Sequence, residues 1–325
     1  MGGASRVLGI PFAALQSVLF GLFLASFPVG ALVFFEGSLG GDINHEYPIT
    51  HTAVFAGTDM YLAPAPVTVG DVFVAAWAIY AVVFAVALLG PRQGFSGALS
   101  DIVSRGRTDL GSNSMSAAIR WFSILVAASA LTTIVQAQFG VETLPPPFGN
   151  DLVQYLLVML APAAEEAGFR LLLIGIPLLA LGIGSVPLRG VPRFLWRPGW
   201  PGSGRRRTAL LIVVSSALFG AAHVAPGDGW SEGKLAQAAA SGLILGWAYV
   251  RYGLGASIII HWAANYFIFS YAALAAHAGG TGIIAAFETP LLASIEGVVL
   301  ASGVASAGIT LLAWNRRRSE VKGRL

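Results

Sequence analysis

Runs of about twenty apolar, uncharged residues recur along this chain, and no other feature narrows its possible folds as much. A helix of that length spans roughly 30 Å, the thickness of a bilayer's hydrocarbon core. Hydropathy places such runs at 9–35, 68–90, 116–137, 152–183, 209–225, 236–252, 254–277 and 289–313. Only 11% of the residues are charged and 56% are hydrophobic, whereas soluble domains carry roughly 25% charge. A water-facing coat cannot be built from so few charges, which excludes a soluble enzyme. Forty glycines suit helices that pack closely in lipid. The expected fold class is therefore an all-α polytopic membrane protein with about eight transmembrane helices.

The cations test this reading. With eight spans and an inner N-terminus, every Lys and Arg except Arg170 and Lys234 falls in or beside an inner segment. The densest groups are Arg189 to Arg207 and Arg316 to Arg324. Outer loops carry Glu36, Asp42, Glu46, Asp59, Glu142, Asp228, Glu232 and Glu288 instead. The positive-inside rule then sets both the N- and the C-terminus in the cytoplasm. The first run follows a single Arg6 and is too long for a signal-peptide core, so it is expected to remain as a span. In a prokaryote the chain would be a multi-pass protein of the plasma membrane.

Three regions follow: a three-helix N-terminal part (1–150), a central part (151–277), and a last span with a basic tail (278–325). The inner loop 185–207 mixes Phe194, Trp196 and Trp200 with six arginines, a composition suited to anionic lipid. The cations are distributed as topology signals, and no nucleic-acid partner is expected. There is no cysteine, hence no disulfide, thiolate metal site or cysteine nucleophile.

Ionisable residues at bilayer depth cost roughly 2.5–3.5 kcal/mol each on insertion scales and mark functional sites. The fourth run contains Glu165, Glu166 and Arg170. Adjacent residues point about 100° apart, so the two carboxylates cannot share a helix face. Arg170 is one turn from Glu166, the spacing of an intrahelical ion pair. That leaves Glu165 without a cation on its own helix, as a general base would need to be. His223 and His261 also lie in apolar runs, and Asn265 shares a helical face with His261. An imidazole and a neutral amide together can stabilise an oxyanion. His223 falls nearer the outer end of its run than Glu165 and Asn265 do in theirs. Buried residues that merely join helices are the plain alternative for any one of these groups, but not for the set on three runs.

At these residues the chain resembles the CAAX-processing and bacteriocin-immunity family of intramembrane endopeptidases, CAAX prenyl protease type 2 enzymes among them. Glu165 to Arg170 reads E-E-A-G-F-R, similar to the family's E-E-x-x-x-R. Phe219 to His223 (F-G-A-A-H) and His261 to Asn265 (H-W-A-A-N) are similar to its F-x-x-x-H and H-x-x-x-N. The resemblance covers roughly 150–270. It implies a glutamate-dependent hydrolase in which Glu165 and His223 activate water and His261 and Asn265 form an oxyanion hole. Glu166 and Arg170 would orient the site, and Phe219 would contact substrate. The implied substrate is a membrane-embedded or lipidated peptide, with CAAX-type C-terminal processing of prenylated proteins as the family's pattern. That analogy places the mouth of the site on the cytoplasmic side.

No cofactor is expected, since the H-E-x-x-H helix of metalloproteases is absent. A zinc site of Glu165, His223 and His261 is the alternative. Other functions compatible with the residues are a non-proteolytic scaffold or immunity protein of the same family and a proton-coupled transporter. The repeated halves common in carriers are missing. Ala240-Ser241-Gly242 lacks the leading glycine of a rhomboid motif, and Gly227-Asp228 lacks the context of an aspartyl type. His45, His51, Asp42 and Asp59 read as a solvated loop rather than a metal site. Lys234 and Glu232 read as interfacial and His277 as an exposed helix end, while Glu296 has no evident partner.

Overall fold

The computed structural model describes residues 3–36, 39–49, 51–55, 58–61, 67–90, 92–106, 113–145, 149–182, 186–199, 204–225 and 230–322. Those residues are almost entirely helical. Five helical stretches are long and apolar enough to cross a membrane: Gly9–Glu36 in α1 (Gly3–Glu36), α2 (Val69–Leu89), α4 (Ser114–Ala137), Leu254–Gly279, and Pro290–Leu312 in α13 (Pro290–Lys322). The chain is an integral membrane protein.

The remaining three runs are also helical, but less apolar. α5 (Asp151–Glu166) passes through a π-helical segment, Ala167–Gly175, into α6 (Ile176–Leu181). α8 spans Arg205–Ala222 and α9 spans Gly233–Tyr252. α5 and its π segment hold Glu165, Glu166 and Arg170, and α8 opens on three arginines. Shorter helices are α3 (Phe95–Arg105), α7 (Val191–Trp196) and α12 (Ile283–Ala286). One feature departs from the all-helical expectation. An antiparallel hairpin, β1 (His51–Phe55) with β2 (Thr58–Tyr61), occupies the long loop after α1.

Local chemistry explains where helices begin. Thr68 and Asp71 form a capping box at the start of α2, satisfying two orphan donors reciprocally. Asn113 caps α4 by accepting from Ser116 N, and its amide donates to the Leu88 and Gln93 carbonyls. Asn150 caps α5 and donates to the Gly40 carbonyl, fastening the loop after α1 to the helix that carries the carboxylates.

The stretch Leu254–Gly279 comprises α10 (Leu254–Trp262), a π turn (Ala263–Phe267) and α11 (Ile268–Gly279). Within its most apolar window 61% is buried, against 28–39% in the other four spans. It is the axis of the bundle. Trp262 is fully buried, stacked on Phe27 at 5.1 Å and edge-on to Phe84 at 4.8 Å. Tyr155 shares a 2.7 Å hydrogen bond with Ser270, and Tyr80 donates to the Met159 carbonyl at 2.7 Å. These contacts lock α1, α2 and α5 around the axis and fix the rotation of the helix bearing His261.

α8 and α9 pack through small residues. A Cβ on Gly220 would lie 2.5 Å from the Leu235 carbonyl oxygen, and one on Gly242 would lie 3.0 Å from Ser216. Such close backbone approach is how helices associate where lipid removes the hydrophobic drive. α9 turns into α10 at Gly253, whose φ of 102° is open only to glycine at low cost. Arg120 is buried inside α4 and donates to Thr310 Oγ1 at 2.8 Å and the Ser306 carbonyl at 3.3 Å. That arginine joins α4 to α13.

Candidate active site

Pro162 lies one turn before the carboxylate pair. It removes a backbone donor from α5, and the helix widens into the π segment beyond Glu166. π turns are rare and concentrate at functional sites; here Ala167–Gly175 carries Arg170, and Ala263–Phe267 carries Asn265. Ser215 of α8 donates to the Phe169 carbonyl at 2.6 Å, tying the widened turn to its neighbour.

Glu166 is the hub. It is completely buried and is met by three side chains, one from the π segment of its own helix and two from α10. Arg170 Nε lies 3.2 Å from Oε2, His261 Nδ1 lies 2.9 Å from Oε1, and Ser257 of α10 donates to Oε2. Arg170 is also fully buried, with its guanidinium 4.7 Å above the Phe219 ring centroid. Cation–π contact of this kind partly replaces lost water. Arg170 Nη1 and Nη2 have no hydrogen-bond partner among the described residues, so two donors stay available beside the carboxylates.

Glu165 differs in every respect. Its side chain is 27% exposed, with Oε2 3.7 Å from His261 Nε2 and without a hydrogen-bond partner among the described residues. His261 thus lies between the two carboxylates. Its Nδ1 carries the proton, because an ionised Glu166 can only accept, and Nε2 is aimed at Glu165. The expected Glu166–Arg170 spacing is matched, but the partner within reach of Glu165 is His261 rather than His223.

His223 caps α8. Its Nδ1 lies 2.8 Å from the Phe219 carbonyl oxygen, which can only accept, so Nδ1 carries hydrogen and Nε2 is the acceptor nitrogen. Phe219 bridges the two histidines, with ring centroids 4.7 Å from His223 and 5.7 Å from His261. Asn265 is half-buried on the π turn, and none of the hydrogen bonds described above reaches it. Glu165, Glu166, Arg170, Phe219 and His261 therefore meet directly, His223 joins them through Phe219, and Asn265 stands one turn beyond His261.

Sequence reading missed Ser257, which lies four residues before His261 and so shares its helical face; that spacing was the available signal. It also passed over Trp230, and it read Lys234 only as interfacial. The Trp230 ring is 6.4 Å from that of His223, and Lys234 Nζ is 4.0 Å from the Trp230 centroid. Glu296 lines a cavity of about 370 Å³ between α4, α9, α11 and α13, together with Thr133 and Gln237. His277 is exposed. Trp200, Asp228 and the side chains of His51 and Asp59 lie outside the described residues.

Among the described residues no three His, Asp or Glu side chains are grouped as metal ligands would be.

A helical membrane protein with a buried Glu–Arg–His–Ser cluster and a second, half-open glutamate is the class these observations define. Residues 149–267 match the model of a protein family, Type II CAAX prenyl endopeptidase Rce1-like. The matched segment contains every member of the cluster. No curated protein and no solved structure matches the chain.

Proposed function

We propose that this protein is a multi-pass intramembrane endopeptidase in which Glu165 activates water to hydrolyse a peptide bond. One observation carries the reading: neighbouring glutamates share one imidazole, yet one is fully buried against an arginine while the other is 27% exposed with the imidazole 3.7 Å away. The match to the Rce1-like family supports a protease whose substrates are membrane-associated and prenylated.

In this mechanism Glu165 takes a proton from water as the hydroxide oxygen bonds to the scissile carbonyl carbon. His223 Nε2 helps to position that water. His261 acts in its doubly protonated form, with Nδ1–H on Glu166 and Nε2–H donated to the oxyanion beside the Asn265 amide, while Arg170 holds Glu166 in place. Collapse breaks the C–N bond, and the proton on Glu165 passes to the leaving amine. Water, peptide and products balance without a cofactor.

The topology proposed with it has eight spans and cytoplasmic termini, with α5–α6, α8 and α9 completing the five more apolar crossings. The basic inner loop would rest on anionic lipid. Arg197 donates to the Arg251 carbonyl at 3.0 Å. Burial, then the charges of Arg251 and Arg92, hold its guanidinium below the usual arginine range. A cation cluster short of counter-charge suits phosphate headgroups.

The test is cleavage by purified protein in lipid, using a quenched farnesylated CAAX peptide and its unprenylated twin. Wild type is expected to cleave, Glu165→Gln and His223→Ala to lose activity, and a strong zinc chelator to change nothing. Cleavage that survives Glu165→Gln would overturn the assignment.

A further inference from the structure

The start of α9 is pinned to the end of α4 and the segment after it. Gln136 donates to the Gly233 carbonyl at 2.9 Å. Ser231 donates to the Glu142 carbonyl and accepts from Leu144 N, both at 2.7 Å. A Cβ on Gly233 would lie 2.4 Å from the Glu142 carbonyl oxygen. The backbone that carries Lys234 is therefore held in place before any substrate arrives, as a binding group requires.

A lysine near a helix end in lipid ordinarily snorkels, running its ammonium out to water. Lys234 instead lays its ammonium against protein. Nζ is 4.0 Å from the Trp230 centroid and donates to Gln237 Oε1 at 3.3 Å. The Gln237 amide is itself set by Nε2, which donates to Thr133 Oγ1 at 3.3 Å, so its oxygen is the end turned to Lys234. Both partners of the ammonium are neutral. Among the described residues no carboxylate lies within ion-pair distance of it. An ammonium has three donors, and a single amide oxygen leaves it able to take an anion.

The ammonium stands beside the catalytic cluster without touching it. Among the described residues the carboxylate whose field it feels is that of Glu165, and its own charge is felt at His223. The ring contacts from His223 to Trp230 and from Trp230 to Nζ put it within about 10 Å of the imidazole, the reach of three extended residues. Segments 121–149 and 208–250 contain no other Lys or Arg. One ammonium balances one negative charge, which suits a carboxylate better than a phosphate.

We infer that Lys234 binds a carboxylate of the substrate within about three residues of the scissile bond, supplied by a free C-terminus or by an acidic side chain. It selects the substrate and takes no part in bond breaking. The inference rests on the peptidase reading above.

The test uses the full chain in lipid with three quenched, lipid-anchored peptides. They differ only beyond the scissile bond: three residues ending in a free acid, the same three ending in an amide, and an amide with glutamate as the last residue. Wild type is expected to show a KM at least about tenfold lower for one or both acidic peptides than for the plain amide, the scale of a hydrogen bond to a charged group. Lys234→Gln is expected to erase that difference and leave the plain amide unchanged, and Lys234→Arg to keep it. Which acidic peptide is favoured assigns the source of the carboxylate. Equal KM for all three on wild type would overturn the inference. So would an equal loss on acid and amide in Lys234→Gln, the result of a structural role or of a field acting on Glu165 alone.

Binding is read separately on Glu165→Gln, from the fluorescence anisotropy of labelled, uncleaved peptides. The preference for a carboxylate should be present there and vanish when Lys234→Gln is added. No cleavage by wild type with that preference intact would count against the peptidase reading alone. No preference in binding would overturn the role of Lys234 whatever the cleavage result.

Discussion

The frame of this protein and its site are made of different helices. α1, α2, α4 and α13 are apolar enough to hold themselves in lipid and contribute an aromatic core, such as Phe34 stacked on Phe73 at 4.0 Å. α5, α8 and α9 hold Glu165, Glu166, Arg170, His223 and Lys234, with glycine and serine at their contacts, and fall outside the set of self-sufficient spans. Polarity needed for chemistry is subtracted from the drive to enter a membrane. The axis Leu254–Gly279 belongs to both groups: its Trp262 face locks into the frame and its Ser257–His261 face completes the site.

This division predicts that function and stability can be broken separately. Glu165→Gln should lower kcat by about 10³, within the 10²–10⁴ range of general-base catalysis, while unfolding in detergent is unchanged; a matching loss of stability would erase the distinction between the two glutamates. Arg170→Met leaves Glu166 buried with one cation fewer and should cost about 3–5 kcal/mol. Adding Glu166→Gln to that variant should recover part of the loss in thermal unfolding. In the frame, Phe34→Ala should cost about 3 kcal/mol without altering kcat per folded molecule. Ser257→Ala removes one donor to Glu166 and should cost about 1–2 kcal/mol, with KM unchanged. Leu131→Ala, on a side chain 62% exposed that faces lipid, should stay within about 0.5 kcal/mol.

Much of the frame was legible in the sequence because hydropathy and span length report directly on lipid contact. The helices α2 and α4 begin and end within a few residues of the runs at 68–90 and 116–137. The pairing of β1 with β2 was not legible, since both lie in a stretch read only as a solvated loop. Neither were the π turns: they change the residues per turn by less than one, too little to alter an apolar pattern. Within the site, the spacing of Glu166 and Arg170 was enough to pair them, because both are on one helix. Which carboxylate meets which histidine depends on how α5, α8 and α10 cross, and spacing along the chain carries no such information. His223 looked misplaced in depth for a related reason. α8 stops at Ala222, so the ring lies at the cap and connects to His261 through Phe219.

The Glu166 hub also bears on how the protein is made. Inserted alone, α5 and its π segment would carry Glu165, Glu166 and Arg170 into the bilayer at about 8–10 kcal/mol on translocon scales. Two of Glu166's partners, Ser257 and His261, are synthesised some ninety residues later. The ribosome must therefore deliver α8, α9 and α10 before the helix bearing the carboxylates can settle. Until those helices arrive, the polar groups of that segment have only each other, so the cluster is completed late in the order of synthesis.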